Sequence, residues 1–175
     1  PAYDILAWNA DTTRLPGRMH SQYLRQLFLT DALSEGRYRV GGKPVSLTDI
    51  RTPSFCVATL TDHVAPWRSV YKLHYLVPTE ISFVLTSGGH NAGIVSEPGR
   101  PRRAFQAMTR TRDGKYVAPD EWVADAPRTE GSWWPEWVLW LDARSGEPRK
   151  PPQMGAADAG YPLLRDAPGE YVMEK

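Results

Sequence analysis

The chain has 175 residues, of which 41% are apolar and 23% are charged, a composition typical of one soluble globular domain with its own core. No run of about 18 or more apolar residues occurs, which excludes a membrane-spanning helix. The balance of 21 basic and 20 acidic residues gives a net charge of +1 and argues against nucleic acid as a partner, since phosphate neutralisation supplies most non-specific affinity.

The cysteine content and the amino terminus indicate the compartment. The single cysteine, Cys56, cannot form an intramolecular disulfide, and no secretory signal precedes it. We therefore expect a cytoplasmic protein. The chain begins Pro1-Ala2-Tyr3, without an initiator Met, and we expect a processed product or a piece of a longer protein.

The first fifty residues predict a short element, a helix and a hairpin. Residues 3–13 mix apolar and polar side chains and lead to Pro16-Gly17, a pair that ends regular structure. From Arg18 to Leu29 the apolar residues recur three and four positions apart, which predicts an amphipathic helix. In residues 37–45, Tyr38 and Val40 lie two positions apart, Gly41-Gly42 follows, and then Val45. This pattern predicts a small β-hairpin.

The middle of the chain predicts an α/β unit. Residues 55–60 form an apolar run of the kind found in a parallel strand buried on both faces. A helix is expected from Pro66 to Leu76, because proline is tolerated in a first turn and apolar residues follow at helical spacing. Residues 80–86 predict a second strand, and strand, helix, strand is the unit of right-handed parallel sheets.

Three features follow the second strand. Residues 87–93 form a glycine-flanked loop at its carboxyl end, where open α/β sheets place their chemistry. Ser132 and Pro135 predict the start of a helix that ends near Gly146. Beyond residue 146, proline and glycine crowd the sequence, and we expect an extended tail without regular elements.

Asp62 and His90 are the leading site candidates. Asp62 comes just after the first predicted strand and His90 just after the second, so both side chains should emerge at the same edge of the sheet. In a catalytic triad, a carboxylate fixes the tautomer of the histidine and supports its positive charge. The alternative is local: Asp62 would cap the helix that begins near Pro66, and His90 would be an ordinary loop histidine.

Three blocks, in this order and spacing, resemble the carboxyl-terminal part of polyhydroxyalkanoate synthases, most closely those of class I. They are Asp62-His63-Val64-Ala65-Pro66-Trp67, Ser87-Gly88-Gly89-His90-Asn91-Ala92-Gly93-Ile94 and Gly131-Ser132-Trp133-Trp134-Pro135-Glu136-Trp137. Residues 8–16 are similar to the cap region of that family, and residues 168–172 are similar to a segment of its carboxyl terminus.

The resemblance implies a fold and its organisation. The fold class would be α/β, with the last parallel strands and helices of an α/β-hydrolase fold preceded by part of a cap region. Residues 1–50 would belong to the cap, residues 51–146 to the end of the hydrolase core, and residues 147–175 to a Pro/Gly-rich tail.

The resemblance also implies an activity. Such synthases are acyltransferases that polymerise (R)-3-hydroxyacyl units from coenzyme A thioesters into a growing polyester and release coenzyme A. His90 corresponds to the family's catalytic histidine and Asp62 to its catalytic aspartate, within a Cys-Asp-His triad. That aspartate either orients the histidine or acts on the 3-hydroxyl of the incoming unit. Apart from the thioester substrate, no cofactor is implied.

The sequence departs from the family at the nucleophile. The G-x-C-x-G motif that carries the catalytic cysteine is absent from these 175 residues, and Cys56 lies inside a predicted strand, where we expect an inert core residue. The chain alone is therefore expected to be inactive. An unpaired edge of the first strand would attract another chain, either the missing amino-terminal portion or a second copy in a homodimer.

Other candidate residues have both structural and functional interpretations. We expect His63 and Trp67 to be structural. We expect Trp133, Trp137 and Trp140 to pack as one helical face, with a polymer-binding surface as the alternative.

Five arginines are expected to be solvated, with coenzyme A phosphates as the alternative partner: Arg100, Arg102, Arg103, Arg110 and Arg112. We expect Asn9 and Asp11 to cap a turn, with a position on the inner side of the cap region as the alternative. The four histidines and one cysteine show no metal-ligand spacing.

Two other functions remain open. One is a non-catalytic module for dimerisation or for attachment to polyester granules through the tryptophans and the tail, at the granule surface in the cytoplasm. The other is half of an α/β-hydrolase esterase or depolymerase, in which water would release a hydroxy acid without chain growth.

Overall fold

The computed structural model describes residues 14–166 and 169–170. Its contacts divide the chain into a unit of residues 1–28 and 147–175 and a larger unit of residues 29–146. The predicted element at residues 3–13, with Asn9 and Asp11, lies outside the described residues. Among the residues described, no helix is both long enough and apolar enough to cross a membrane.

The helix predicted from Arg18 to Leu29 is confirmed. Helix α1 spans Gly17–Tyr23, and a π-helical turn continues it over Leu24–Leu29. The rings of Tyr23 and Phe28 lie 5.4 Å apart, because the wider π-helical turn brings residues five positions apart next to each other. The tail contains a 3₁₀ turn at Ala157–Ala159 and a β-bridge between Ala156 and Tyr161, and it is otherwise irregular where described, as predicted.

The predicted hairpin is also confirmed. Strands β1 (Arg39–Val40) and β2 (Lys43–Pro44) pair antiparallel. Gly41 and Gly42 at the turn have φ angles of +55° and +79°, a backbone region open to glycine that two-residue hairpin turns require. A 3₁₀ turn at Leu47–Asp49 follows.

A four-stranded mixed sheet forms the centre of the larger unit. Its strands are β3 (Ser54–Thr59), β4 (Ile81–Thr86), β5 (Ala104–Arg110) and β6 (Arg128–Glu130), in that spatial order. Strands β3 and β4 pair in parallel, as predicted, while β5 and β6 add antiparallel pairs that the sequence analysis did not predict. Among the described residues, β3 pairs with no strand on its other side.

Four helices complete this unit. The single helix predicted from Pro66 to Leu76 is two short helices, α2 (Trp67–Val70) and α3 (Leu73–Leu76). Helix α4 (Pro119–Asp125) precedes β6, and α5 (Trp134–Asp142) follows it. The helix predicted to end near Gly146 therefore ends at Asp142.

Strand β4 lies at the centre of the core, and every one of its residues is buried. On one face, Phe83 meets Tyr71 and Trp122 edge to face, with ring centroids 5.0 and 5.1 Å apart. On the other face, Val84 packs with Phe105 and Trp133. Packing on both faces fixes β4, and with it the position of the loop that follows.

Candidate active site

Asp62 and His90 lie on the two loops that follow β3 and β4. The parallel register places Thr59 beside Thr86 at the ends of the two strands. Backbone pairing continues into the loops, where the N–H of Leu60 donates to Thr86 O and the N–H of Thr61 donates to Gly88 O. The loops therefore leave the sheet side by side, and Nδ1 of His90 lies 2.9 Å from Oδ2 of Asp62.

The Asp62 carboxylate is held from several directions. Its Oδ1 accepts hydrogen bonds from the backbone N–H groups of Val64 (2.8 Å) and Ala65 (2.9 Å), at the turn that leads into α2. Its Oδ2 accepts from the Thr59 hydroxyl at 3.3 Å, and only 7% of the side chain is exposed. Oδ1 of Asp62 thus caps the turn, as the local interpretation of the sequence predicts. Oδ2 contacts His90, as the triad interpretation predicts.

These contacts shift the pKa of Asp62. The Ala65 N–H has the largest effect and lowers the pKa well below its ordinary value of 3.8. Desolvation acts in the opposite direction, but His90 and the Val64 N–H lower the pKa further, because each stabilises the charged form. The carboxylate is therefore ionised at neutral pH.

The contact with Asp62 uses one of the two ring nitrogens of His90. An ionised carboxylate can only accept hydrogen bonds, so Nδ1 of His90 is the donor in this pair. The neutral ring then keeps a lone pair on Nε2. The side chain is 47% exposed, which allows a thiol or hydroxyl from another segment to approach. This is the arrangement of a general base held in one tautomer.

Gly93 allows the His90 loop to pack against β3. A Cβ atom added to Gly93 would lie 2.5 Å from Cγ2 of Thr59 and 3.0 Å from the carbonyl oxygen of Ser87, closer than packed atoms approach. The N–H of Gly93 donates to Gly89 O at 2.9 Å. A residue without a side chain is therefore required at this close approach.

Two tryptophans hold the carboxyl end of the same loop. Nε1 of Trp133 donates to Gly93 O at 3.1 Å, and Nε1 of Trp134 donates to Ile94 O at 3.0 Å. The Ser132 hydroxyl donates to Ser96 O and accepts from the N–H of Trp134. This role of the two tryptophans was not predicted from the sequence, although two adjacent indole donors beside a serine could have indicated it.

The prediction that Trp133, Trp137 and Trp140 pack as one helical face is only partly correct. Trp133 is buried, and Trp140 lies with its ring centroid 5.6 Å from that of Phe55. Trp137 is 43% exposed, so the prediction of core packing is wrong for this residue. Trp133 and Trp137 do share a face, since the N–H of Trp137 donates to Trp133 O at 3.3 Å and their rings lie 6.0 Å apart, but the Trp137 ring lies beside Trp133 and stays partly exposed.

Cys56 lies within β3, partly buried beside the core. Burial raises the pKa of its thiol to about 11, because a thiolate is poorly solvated there. The thiol therefore stays protonated at neutral pH, which is the opposite of an activated nucleophile.

The remaining candidates have mostly local contacts. His63 is exposed, and Trp67 is partly buried against the core and lies edge-on to Tyr71. Arg100 pairs with Glu97 at 3.3 Å. The expectation of a solvated loop is wrong for Arg110, because that residue ends β5 and donates to the carbonyls of Val77 and Thr79.

Over residues 14–166 and 169–170, no group of three or more His, Cys, Asp or Glu side chains is arranged so that it could hold a metal ion.

Comparison with known proteins gives several matches over the whole chain. The chain is 40% identical over its full length to poly(3-hydroxyalkanoate) polymerase 2 of Ectopseudomonas oleovorans. It is 36% identical over 99% of its length to the poly(3-hydroxyalkanoate) polymerase subunit PhaC of Cupriavidus necator, and 38% identical over 99% to the polymerase of Methylorubrum extorquens. The chain spans 30%, 29% and 28% of these relatives. No protein-family model matches it. The resemblance predicted from the sequence is confirmed.

The packing at Gly93 generates a test with a matched control. We expect Gly93→Ala to lower the free energy of unfolding by about 1–3 kcal/mol, as overpacking does, and to speed amide hydrogen exchange in the His90 loop. Gly89→Ala is the control, because its added Cβ would lie 3.8 Å from the nearest atoms. Urea unfolding and hydrogen exchange measure both effects. Equal stability of the two variants would contradict the proposed close packing.

The low pKa of Asp62 predicts a pH dependence. Because its folded pKa lies below 3.8, the ionised carboxylate contributes stability that is fully present above about pH 4 and is lost as the pH falls through the folded pKa. We expect the unfolding free energy of the native chain to decline more steeply than that of Asp62→Asn below about pH 4. Urea unfolding across this range measures the difference, with Asp113→Asn, at an exposed position, as the control. Parallel curves for the native chain and Asp62→Asn would refute the assignment.

Proposed function

We propose that this chain, a relative of the poly(3-hydroxyalkanoate) polymerases over about 30% of their length, is the carboxyl-terminal part of such an enzyme. The whole enzyme would polymerise (R)-3-hydroxyacyl units from coenzyme A thioesters and release coenzyme A. The observation that carries the proposal is the 2.9 Å contact between His90 and Asp62 at the carboxyl ends of two parallel strands.

The proposal extends to the fold. Parallel strands β3 and β4 with a candidate acid and base on the following loops are what the end of an α/β-hydrolase core would contain. In this proposal residues 51–146 form that end of the core, residues 1–50 belong to a cap region, and residues 147–175 form a tail.

In the proposed mechanism, His90 acts as the base for a cysteine that another segment supplies. Nε2 of His90 takes the proton from the thiol, and the thiolate attacks the thioester carbonyl of the substrate. The tetrahedral intermediate collapses with loss of coenzyme A thiolate, which recovers the proton from His90. The acyl group is then held as a thioester on the cysteine. The 3-hydroxyl of another unit attacks this thioester while Nε2 of His90 takes the hydroxyl proton. The new ester bond forms as the bond between the acyl carbon and the cysteine sulfur breaks, and the cysteine thiolate recovers the proton from His90.

The geometry favours an orienting role for Asp62 over direct action on the substrate hydroxyl. Both carboxylate oxygens already accept hydrogen bonds, and the side chain is nearly buried. Its lowered pKa also makes it a weak base. In the proposal, Asp62 keeps the Nδ1–H tautomer of His90 and stabilises the imidazolium when it forms.

The nucleophile in this proposal comes from outside the chain. Cys56 lies within β3 and its pKa is about 11, so it does not fill that role. Because β3 pairs with no strand on one side among the described residues, its peptide groups could pair with a further strand. We propose the amino-terminal portion of the polymerase as that partner, with a second copy of this chain as the alternative.

Complementation tests the proposal. The chain would be co-expressed with the amino-terminal part of the Ectopseudomonas oleovorans polymerase, and coenzyme A release from (R)-3-hydroxybutyryl-CoA followed with a thiol reagent. We expect no release from the chain alone and release from the assembly. His90→Ala should lower that rate by about 10³-fold or more, as loss of a triad member does, without dissociating the assembly in size-exclusion chromatography.

His63→Ala is the matched control, since His63 is an exposed histidine adjacent to Asp62, and it should leave the rate within a few-fold. An assembly whose His90→Ala variant releases coenzyme A at the native rate would refute the proposal. Release of hydroxy acid without polymer would instead indicate an esterase or depolymerase.

A docking module is the second candidate function. Helix α5 exposes apolar side chains, including Leu139 at 64% and its neighbour Val138, and exposed apolar surface marks interaction sites. In that case the chain would bind polyester granules or a second copy, and His90→Ala would leave binding unchanged.

A further inference from the structure

Thr59 is buried between the two loops of the candidate site. It is the last residue of β3 and is 2% exposed. Its Oγ1 lies 3.3 Å from Oδ2 of Asp62, the same oxygen that meets Nδ1 of His90. Its methyl carbon, Cγ2, packs against Gly93, since a Cβ atom added to Gly93 would lie only 2.5 Å from Cγ2. One side chain therefore contacts the Asp62 loop with its hydroxyl and the His90 loop with its methyl group.

The hydroxyl controls the orientation of the carboxylate. Because ionised Asp62 only accepts, the Thr59 hydroxyl is the donor. The backbone N–H groups of Val64 and Ala65 hold Oδ1, while Thr59 donates to Oδ2. Because both carboxylate oxygens accept hydrogen bonds, rotation about the Cβ–Cγ bond of Asp62 is restricted. This keeps Oδ2 directed at His90.

The methyl group controls the position of the other loop. Gly93 is fixed by contact with Thr59 on one side and by the hydrogen bond from Trp133 to its carbonyl oxygen on the other. It also donates to Gly89 O, the residue before His90. Removing the methyl group would leave a gap under this turn.

We infer that Thr59 is a positioning residue that sets both members of the acid–base pair, Asp62 through its hydroxyl and the His90 loop through its methyl group. The geometric inference stands on these contacts alone, while its catalytic consequence rests on the proposed function.

Two near-isosteric variants separate the two roles. Thr59→Val keeps the packing and removes the donor, whereas Thr59→Ser keeps the donor and removes the methyl group. NMR of the 175-residue chain would follow solvent exchange of the His90 Nδ1–H and of the Gly93 amide.

We expect Thr59→Val to speed His90 Nδ1–H exchange by about 3- to 10-fold, the effect of one lost hydrogen bond, and to leave the Gly93 amide unchanged. Thr59→Ser should speed exchange of the Gly93 amide and leave exchange of the His90 Nδ1–H unchanged. Thr61→Val, at an exposed position on the same loop, should change neither probe.

Three results would overturn the inference. The first is that both variants move the two probes together, and the second is that neither variant moves either probe. The third is a Thr59→Val chain that fails to fold, since a residue of nearly the same shape must be tolerated if the hydroxyl acts only on Asp62.

The complemented polymerase adds a catalytic readout. Thr59→Val should lower kcat about tenfold, the equivalent of one hydrogen bond, with KM unchanged, and Thr59→Ser should retain more of the native kcat. If the native assembly releases no coenzyme A, the proposed function fails while the NMR pattern still stands. If the native assembly releases coenzyme A and both Thr59 variants release it with the native kcat, this inference fails and the proposed function stands.

Discussion

The parallel register of β3 and β4 is the constraint on which the site depends. Thr59 and Thr86 end their strands side by side, and two further backbone hydrogen bonds join the loops beyond them. Because β4 is buried on both faces, neither strand can slip without exposing its core residues. The 2.9 Å contact between Asp62 and His90 is a consequence of this register.

The two members of the pair have contrasting environments. Asp62 is enclosed, and the Ala65 N–H, with His90 and the Val64 N–H, holds its pKa low, so its charge is fixed at neutral pH. His90 is nearly half exposed and is held from behind at Nδ1. A fixed charge beside an accessible imidazole suits proton transfer to and from an outside group. The Trp133 and Trp134 indoles, hydrogen-bonded to the end of the His90 loop, restrict its movement.

The sequence predicted the parallel strands and the meeting of Asp62 with His90, because local patterns carry both. It did not predict β5, where Gln106, Thr109 and Arg110 interrupt the apolar alternation after a turn rich in arginine and proline. Nor did it predict that Thr59 contacts Gly93, since these residues are distant in sequence and meet only when the sheet forms. The role of Trp133 was missed for the same reason: its indole partner, the Gly93 carbonyl, is set by tertiary packing.

The tautomer of His90 tests the central claim most directly. ¹⁵N NMR of the imidazole at a pH where the ring is neutral distinguishes a proton on Nδ1 from one on Nε2. In the native chain we expect the Nδ1–H form to dominate, because ionised Asp62 accepts from Nδ1. In Asp62→Asn we expect the population to move toward the Nε2–H form. The same Nε2–H tautomer in both proteins would show that Asp62 does not hold the ring, and would contradict the account.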